Sequence, residues 1–148
     1  MKNKMFSDDL AFLSNFYILP KPILMYGKPY PTVEHAYQAA KAISKTDREI
    51  IRKAKTAGYA KKLGRKVKCR PDFEQRKIDI MLELVKRKFQ IPELKDKLIS
   101  TKDLYLVETN YWHDNFWGDC YCDECSVILG QNHLGNLLMQ IRWYILND

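Results

Sequence analysis

From Pro71 to Phe89 apolar residues recur at helical spacing, with Ile78, Met81, Leu82, Val85 and Phe89 on one stripe and Glu74, Lys77, Glu83 and Lys86 outside it. A strand repeats every two residues and cannot carry this pattern. The stretch is about five turns long, and its apolar stripe is stable only when other elements cover it. Shorter helical signals lie on either side. Thr46-Asp47 starts a helix through Lys55, Thr56-Ala57 starts one that stops at Gly64, and Pro92 starts one ending near Ser100. Asn132 is a candidate N-cap for a last helix from about His133 that buries Leu134, Leu137, Leu138, Ile141 and Ile145, with Gly135 allowing a close approach of backbone or ligand.

Extended structure is sparse by comparison. Phe16 to Leu19 and Ile23 to Tyr26 read as short strands with a turn at Gly27-Lys28, and Leu104 to Val107 reads as a buried strand. No internal repeat or composition break marks a linker. The expected architecture is therefore α+β, mainly α: one domain over residues 1–148, with several helices and a small β-sheet. With 148 residues, 46% of them hydrophobic, it has a normal core without needing metal or disulfide staples. No apolar run reaches the roughly 20 residues that span a bilayer, and the first residues lack the apolar centre of a secretory signal, so a cytoplasmic protein without a membrane partner is expected.

The stretch Tyr30-Pro31-Thr32-Val33-Glu34-His35-Ala36-Tyr37-Gln38-Ala39-Ala40-Lys41 loads one helix opening with ionisable and aromatic groups. Pro31 and Thr32 are a start signal, so the helix begins near Val33 with Thr32 as N-cap. Glu34, Gln38 and Lys41 then share a stripe opposite Ala36, Ala39, Ala40 and Ile43, which predicts one packed face and one face that presents chemistry. Glu34 and Lys41 are roughly 10 Å apart along the axis, a gap that fits a small ligand. A dipole-complementing glutamate and a solvated lysine would give the same spacing.

A second cluster, Asn110-Tyr111-Trp112-His113-Asp114-Asn115-Phe116-Trp117-Gly118-Asp119, follows the expected Leu104–Val107 strand and surrounds two carboxylates and a histidine with aromatics. Loops at strand ends are where sites tend to be built. Packing accounts for some of the rings but not for Asp114 three residues before Trp117.

Phe12-Leu13-Ser14-Asn15-Phe16, the block from Tyr30 to Lys41, Phe116-Trp117-Gly118, Asn132-His133-Leu134-Gly135 and Leu137-Leu138-Met139-Gln140-Ile141-Arg142 together resemble the NADAR family, also called YbiA-like. The blocks occur in the family's order and reach from residue 12 to residue 142. The resemblance implies an N-glycosidase, a hydrolase that uses no cofactor. It assigns catalysis to Glu34, Asp114 and Trp117, with Lys41 acting covalently. The same likeness implies substrate contacts from Asn15, Phe16, Tyr30, His35, Gln38, Trp112, Gly118 and Asn132. Breaking a C–N glycosidic bond builds positive charge on the sugar, which carboxylates stabilise and an indole face suits. An amine adds to the opened sugar only where its pKa is lowered, which burial beside other cations would do to Lys41 and Glu34 would oppose. Phe73 stands where the family often has Trp after Arg-Pro-Asp, a change that keeps stacking and loses an indole N–H.

The implied substrate is an ADP-ribose or ribose-phosphate N-glycoside. Its two branches are ADP-ribose on guanine bases of DNA and reactive phosphoribosylamine intermediates of riboflavin synthesis. Twenty-five Lys and Arg against eighteen Asp and Glu give a formal charge of +7, concentrated between Lys41 and Lys102, which is compatible with an anionic partner and tips the expectation to ADP-ribosylated guanine in DNA. A reading of another class is a non-catalytic nucleic-acid-binding or zinc-stabilised module. Cys120, Cys122 and Cys125 form Cys-x-Cys-x-x-Cys, and with His133 eight residues on a zinc site can be drawn. The spacing departs from paired Cys-x-x-Cys knuckles, and many family members lack the cluster. Reduced free cysteines in an inserted loop are therefore expected, and no metal ligand is assigned.

Overall fold

A computed structural model describes residues 6–148, which fall into two compact units: residues 15–91, and residues 6–14 together with 92–148. Residues 15–91 begin with a hairpin of β1 (Ile23–Met25) and β2 (Lys28–Tyr30), antiparallel with Met25 opposite Lys28. The turn is Tyr26-Gly27, one residue earlier than the sequence suggests, and both residues have positive φ, 54° and 72°. A two-residue turn of this hand matches strand twist and needs two such residues, which is why Gly27 closes the hairpin rather than opening it. Phe16 to Leu19 forms no strand; Leu19 N–H donates to the Pro31 carbonyl at 2.9 Å.

Four helices complete this unit: α1 (Val33–Lys41), α2 (Lys45–Arg52), α3 (Ala57–Gly64) and α4 (Phe73–Lys88). The Thr32 hydroxyl caps α1 by accepting from His35 N–H, and Thr56 caps α3 by accepting from Tyr59 N–H. α2 starts earlier than Thr46-Asp47 would suggest, because Ser44 takes the cap position and its hydroxyl accepts from Asp47 N–H at 3.0 Å. In α4 the buried face carries Phe73, Met81, Leu84, Val85 and Lys88. Ile78 is exposed instead of lying on the core stripe, because Phe73 seats the first turn and Ile78 is about 140° round from it.

α1 departs furthest from expectation. Every residue from Val33 to Ala40 is buried, so the helix has no solvent-facing polar side, and α2, α3 and α4 all pack against it. Ile43, placed on the packed face by periodicity, lies beyond the helix end and is exposed. Small alanines let the neighbours approach on several sides, and the polar residues among them must then be satisfied inside the protein. The C-terminal end of α1 is tied by an antiparallel bridge between Ala42 and Cys69 and by Arg70 N–H donating to the Lys41 carbonyl at 2.8 Å.

The second unit contains a 3₁₀ turn (Asp8–Leu13), α5 (Pro92–Ser100), the parallel pair β3 (Thr109–Asn110) and β4 (Asp119–Cys120), a 3₁₀ turn (Asp123–Cys125) and α6 (His133–Asn147). Leu104 to Val107 is not a strand. Leu106 and Val107 are buried but Leu104 and Tyr105 are exposed, and the Asn132 side chain satisfies the segment where a strand partner would. Asn132 Nδ2 donates to the Leu106 carbonyl at 2.9 Å and its Oδ1 accepts from Glu108 N–H at 3.0 Å. Asn132 thus occupies the N-cap position of α6 without a side-chain cap bond, in a left-handed conformation that Asn tolerates. A Cβ on Gly135 would collide with the Leu106 carbonyl, so this glycine is the close approach its position suggested. α6 buries Leu134, Leu137, Leu138 and Ile141, whereas Ile145 is half-buried. The result is a mainly helical α+β chain with two small sheets, and no described helix is long and apolar enough to cross a membrane.

Candidate active site

The residues singled out from sequence fall into two groups, each organised within its own unit. In residues 15–91 they centre on α1. Glu34 is buried, its backbone N–H donates to the Asn15 carbonyl at 3.0 Å, and Oε1 accepts from Gln38 Nε2 at 2.7 Å. The buried amide one turn on therefore orients the carboxylate. Gln38 is in turn held against Gly64 of α3, where any Cβ would fall on the glutamine amide. Gln38 Oε1 and Asn15 Oδ1 are both buried with no hydrogen-bond partner, while Asn15 Nδ2 is turned to the Met81 sulfur at 3.4 Å. Unsatisfied buried oxygens beside a buried carboxylate are unusual and suit a site that a polar ligand completes.

Lys41 closes the same helix and is half-buried. Its Nζ lies 5.8 Å from the ring centroids of both Tyr37 and Phe73, so Phe73 places a ring beside Lys41. Burial pushes the Lys41 pKa below the usual lysine range. The Glu34 and Cys69 charges oppose that shift, while Arg65 and Lys61 reinforce it. Lys61 Nζ sits 5.9 Å from the ring centroid of Phe16, which is exposed. The helix thus joins a buried carboxylate, an amine biased toward its neutral form, nearby cations and an exposed ring.

Tyr30 and His35 are deeper. Tyr30 is buried, and desolvation lifts its phenol above the usual range against the pull of Arg52 and Arg48. The His35 ring has Nδ1 at 2.7 Å from the Thr32 hydroxyl and Nε2 at 3.0 Å from the Ala54 carbonyl. The Ala54 carbonyl can only accept, so Nε2 of the neutral ring carries the proton and donates to it, and the Thr32 hydroxyl, which also accepts from His35 N–H, donates to Nδ1. Burial lowers the His35 pKa, in keeping with this neutral tautomer. Both ring nitrogens are engaged in fastening the start of α1.

In the other unit Asp114, Trp117, Trp112 and Gly118 sit on the connection between β3 and β4. Asp114 Oδ1 accepts from Phe116 N–H at 3.1 Å and Trp117 N–H at 2.8 Å, a local turn that explains the spacing of Asp114 and Trp117. Asn110 organises the loop: Oδ1 accepts from Trp112 and Asp114 N–H at 3.2 and 3.1 Å, and Nδ2 donates to the Asp114 carbonyl at 2.8 Å. Trp112 is exposed, Trp117 stands edge-on to Phe116 with centroids 4.8 Å apart, and the buried Gly118 accepts from Asn132 N–H at 3.1 Å. His133 does not join the cysteines. Its ring packs 4.4 Å from Phe116 and Nε2 meets Gln131 Oε1 at 2.8 Å. Asn110, Gly64 and Lys61 were read from sequence only as the first residue of the aromatic cluster, a helix stop and part of the basic stretch, not as residues of the site. Asn110 had a readable signal, a turn-forming residue at the mouth of an aromatic loop, whereas Gly64 and Lys61 matter only through three-dimensional neighbours.

The NADAR domain profile matches residues 3–146. N-glycosidase YbiA of Escherichia coli (strain K12) is 36% identical over 139 residues, covering 92% of this chain and 82% of that protein. N-glycosidase Npun_R5314 of Nostoc punctiforme is 38% identical over 140 residues, covering 90% of this chain and 85% of that protein. The riboflavin biosynthesis protein PYRR of Zea mays is 38% identical over 130 residues, 79% of this chain but 20% of that protein. The NMR structure of E. coli YbiA superposes with a TM-score of 0.80 at 34% identity, covering 97% of this chain and 83% of that one. Fold and relatives together define a class first, the hydrolases that cut N-glycosyl bonds. Within that class the chain belongs to the NADAR family.

Proposed function

We propose that the chain hydrolyses the bond between C1 of ADP-ribose and a guanine base in DNA. The observation that carries the reading is the pairing on α1 of buried Glu34, oriented by Gln38, with a half-buried Lys41 whose ammonium form is disfavoured. As the C1–N bond breaks, Glu34 stabilises charge on the sugar, a role the family resemblance also assigns to Asp114, while the base nitrogen takes a proton and water supplies hydroxide to C1. Trp117 offers its face to the cationic sugar or departing base. On the covalent route Lys41 takes the place of water in this step: its amine adds to C1 of the ring-opened glycosylamine, the base leaves with a proton to give a Schiff base, and water then hydrolyses that to the free sugar aldehyde and the free amine. Asn15, Phe16, Gln38 and Trp112 contact the substrate, while in its own unit His35 fastens the start of α1 and in the other Asn132 fastens Leu106 to Glu108. Lys61 and Arg65 favour the phosphates, and exposed Lys62, Lys66 and Lys68 continue the positive charge toward a polynucleotide.

A second reading, hydrolysis of a ribosylaminopyrimidine phosphate, is favoured by the riboflavin-biosynthesis names of the Zea mays relative and of a Vibrio vulnificus relative, 34% identical over 135 residues. The two are separated by offering DNA with ADP-ribosylated guanine and a ribosylaminopyrimidine phosphate side by side and assaying released sugar. Faster release from DNA is expected; release only from the pyrimidine replaces the first reading by the second, and no release from either removes both. Borohydride added during turnover is expected to trap the sugar on Lys41.

Gly64→Ala tests the orienting role of Gln38 without touching a charged group. The new methyl displaces the Gln38 amide and with it the hold on Glu34. Turnover is expected to fall about 10-fold, with a stability cost of about 1–3 kcal/mol read by denaturant unfolding. Unchanged turnover would show that Gln38 does not orient the carboxylate.

A further inference from the structure

Outside the group on α1, the one set of metal-ligating side chains that converges among the described residues is His113, Cys120, Cys122 and Cys125, whose ligand atoms all lie within 4.8 Å of one another. We propose that His113 Nδ1 and the three cysteine sulfurs bind one zinc ion in a closed structural site. His113 Nδ1 is 3.3 Å from Cys122 Sγ and 3.6 Å from Cys125 Sγ. A tetrahedron with metal–ligand bonds of about 2.0–2.3 Å has edges of about 3.5–3.8 Å, so small side-chain adjustments complete it. All four cysteines of the chain are free thiols, so no disulfide competes for these three sulfurs.

The surroundings are those of thiolates rather than of packed thiols. His113 N–H and Cys122 N–H donate to Cys120 Sγ at 3.2 and 3.5 Å, and Asn115 Nδ2 donates to Cys125 Sγ at 3.2 Å. Donors aimed at sulfur stabilise metal-bound thiolate and fix its direction. With Nδ1 turned to the metal, His113 keeps its proton on Nε2, and Glu124 Oε2 lies 3.9 Å from that nitrogen, the carboxylate that commonly orients a zinc-bound imidazole. Three thiolates and an imidazole select zinc over hard cations, and four protein ligands leave no open position for catalysis. Cys120 and Cys125 are buried while Cys122 is half-buried and His113 exposed, so the ion has a route from solvent.

The site clamps the two ends of the loop that bears Asp114 and Trp117, since His113 and Asn115 flank Asp114 and the cysteines follow Trp117. Zinc therefore orders this loop and does no chemistry itself.

The test uses the full chain, purified under reducing conditions, stripped of metal and reloaded with zinc or cobalt(II) alone. About one zinc per chain is expected by elemental analysis, together with a thiolate-to-cobalt charge-transfer band and tetrahedral cobalt bands. Chelator removal of zinc is expected to raise the number of rapidly reacting thiols by three. Substoichiometric zinc after reloading, with no charge-transfer band, overturns the proposal without relying on any variant. Among variants, His113→Ala is expected to weaken zinc binding at least about 10-fold and His133→Ala to leave it unchanged. The reverse order overturns the ligand assignment.

Discussion

Replacing Glu34 by glutamine is expected to lower turnover by about 10²–10⁴-fold while the protein remains folded, the range that loss of a positioned general acid or base produces. Glutamine keeps the shape of the side chain and an oxygen for Gln38 Nε2, so the hydrogen bond at 2.7 Å survives and the change is close to pure removal of charge. Aspartate would not serve as well, because shortening a buried side chain breaks that bond and opens a gap at once. Turnover should be measured under single-turnover conditions, where loss in the chemical step separates from loss in binding, alongside thermal unfolding to show the fold is intact. A turnover within threefold of the parent would remove Glu34 from the chemistry. The same variant bears on Lys41. The Glu34 charge raises the Lys41 pKa, so its removal lowers that pKa further and enlarges the neutral fraction of the amine at neutral pH. If turnover falls even so, the carboxylate is needed for more than tuning its neighbour.

Lys88→Met should stabilise the protein at neutral pH by about 2–4 kcal/mol, measured by urea unfolding as a function of pH. Lys88 is 1% exposed at the end of α4, and burial lowers its pKa from 10.5 to about 7. Its Nζ lies 5.8 and 5.2 Å from the Tyr17 and Phe89 ring centroids, contacts that recover part of the charge's hydration. A lysine whose folded pKa is depressed binds fewer protons in the native than in the unfolded state between those two values. The Lys88 contribution to stability therefore rises with pH from about 7 to 10.5 and is level below and above that window. The full linkage is on the order of 4–5 kcal/mol at 1.36 kcal/mol per pKa unit, present as a penalty below pH 7 and absent above 10.5. Methionine matches the stem and removes the titration, so the gain over the parent should shrink as pH approaches 10.5. A gain that does not change with pH would mean that packing, not charge burial, distinguishes the two side chains.

Elements with strong local signals were legible from sequence. Thr32, Thr56 and Pro92 mark starts that the helices respect, because a cap or a fixed φ is decided within a few residues. What depends on distant partners was not. Leu104 to Val107 has a strand's composition, yet its backbone is satisfied by the side chain of Asn132, 26 residues from Leu106. Ile78 fits the apolar stripe of α4 but not the rotation that Phe73 imposes. His133 follows the cysteines in sequence and His113 precedes them; spacing cannot choose between two histidines, and the β3–β4 pairing brings in the earlier one. The α1 residues Glu34, Gln38 and Lys41 were read from motif wording, but that Glu34 and Gln38 are buried among neighbours rather than displayed on an open face is a tertiary fact.

The burial of α1 on all sides also decides where a changed substrate preference has to come from. A helix whose turns are packed against α2, α3 and α4 tolerates few side-chain sizes, so the carboxylate proposed to act on the bond is locked to one design. Variation is affordable only in the frame. Phe16, Arg65 and Cys69 are exposed and Lys61 is half-buried, so they can change in size or charge without repacking α1. A library built to redirect the enzyme to another N-glycoside should hold Val33 to Ala40 constant and diversify that rim.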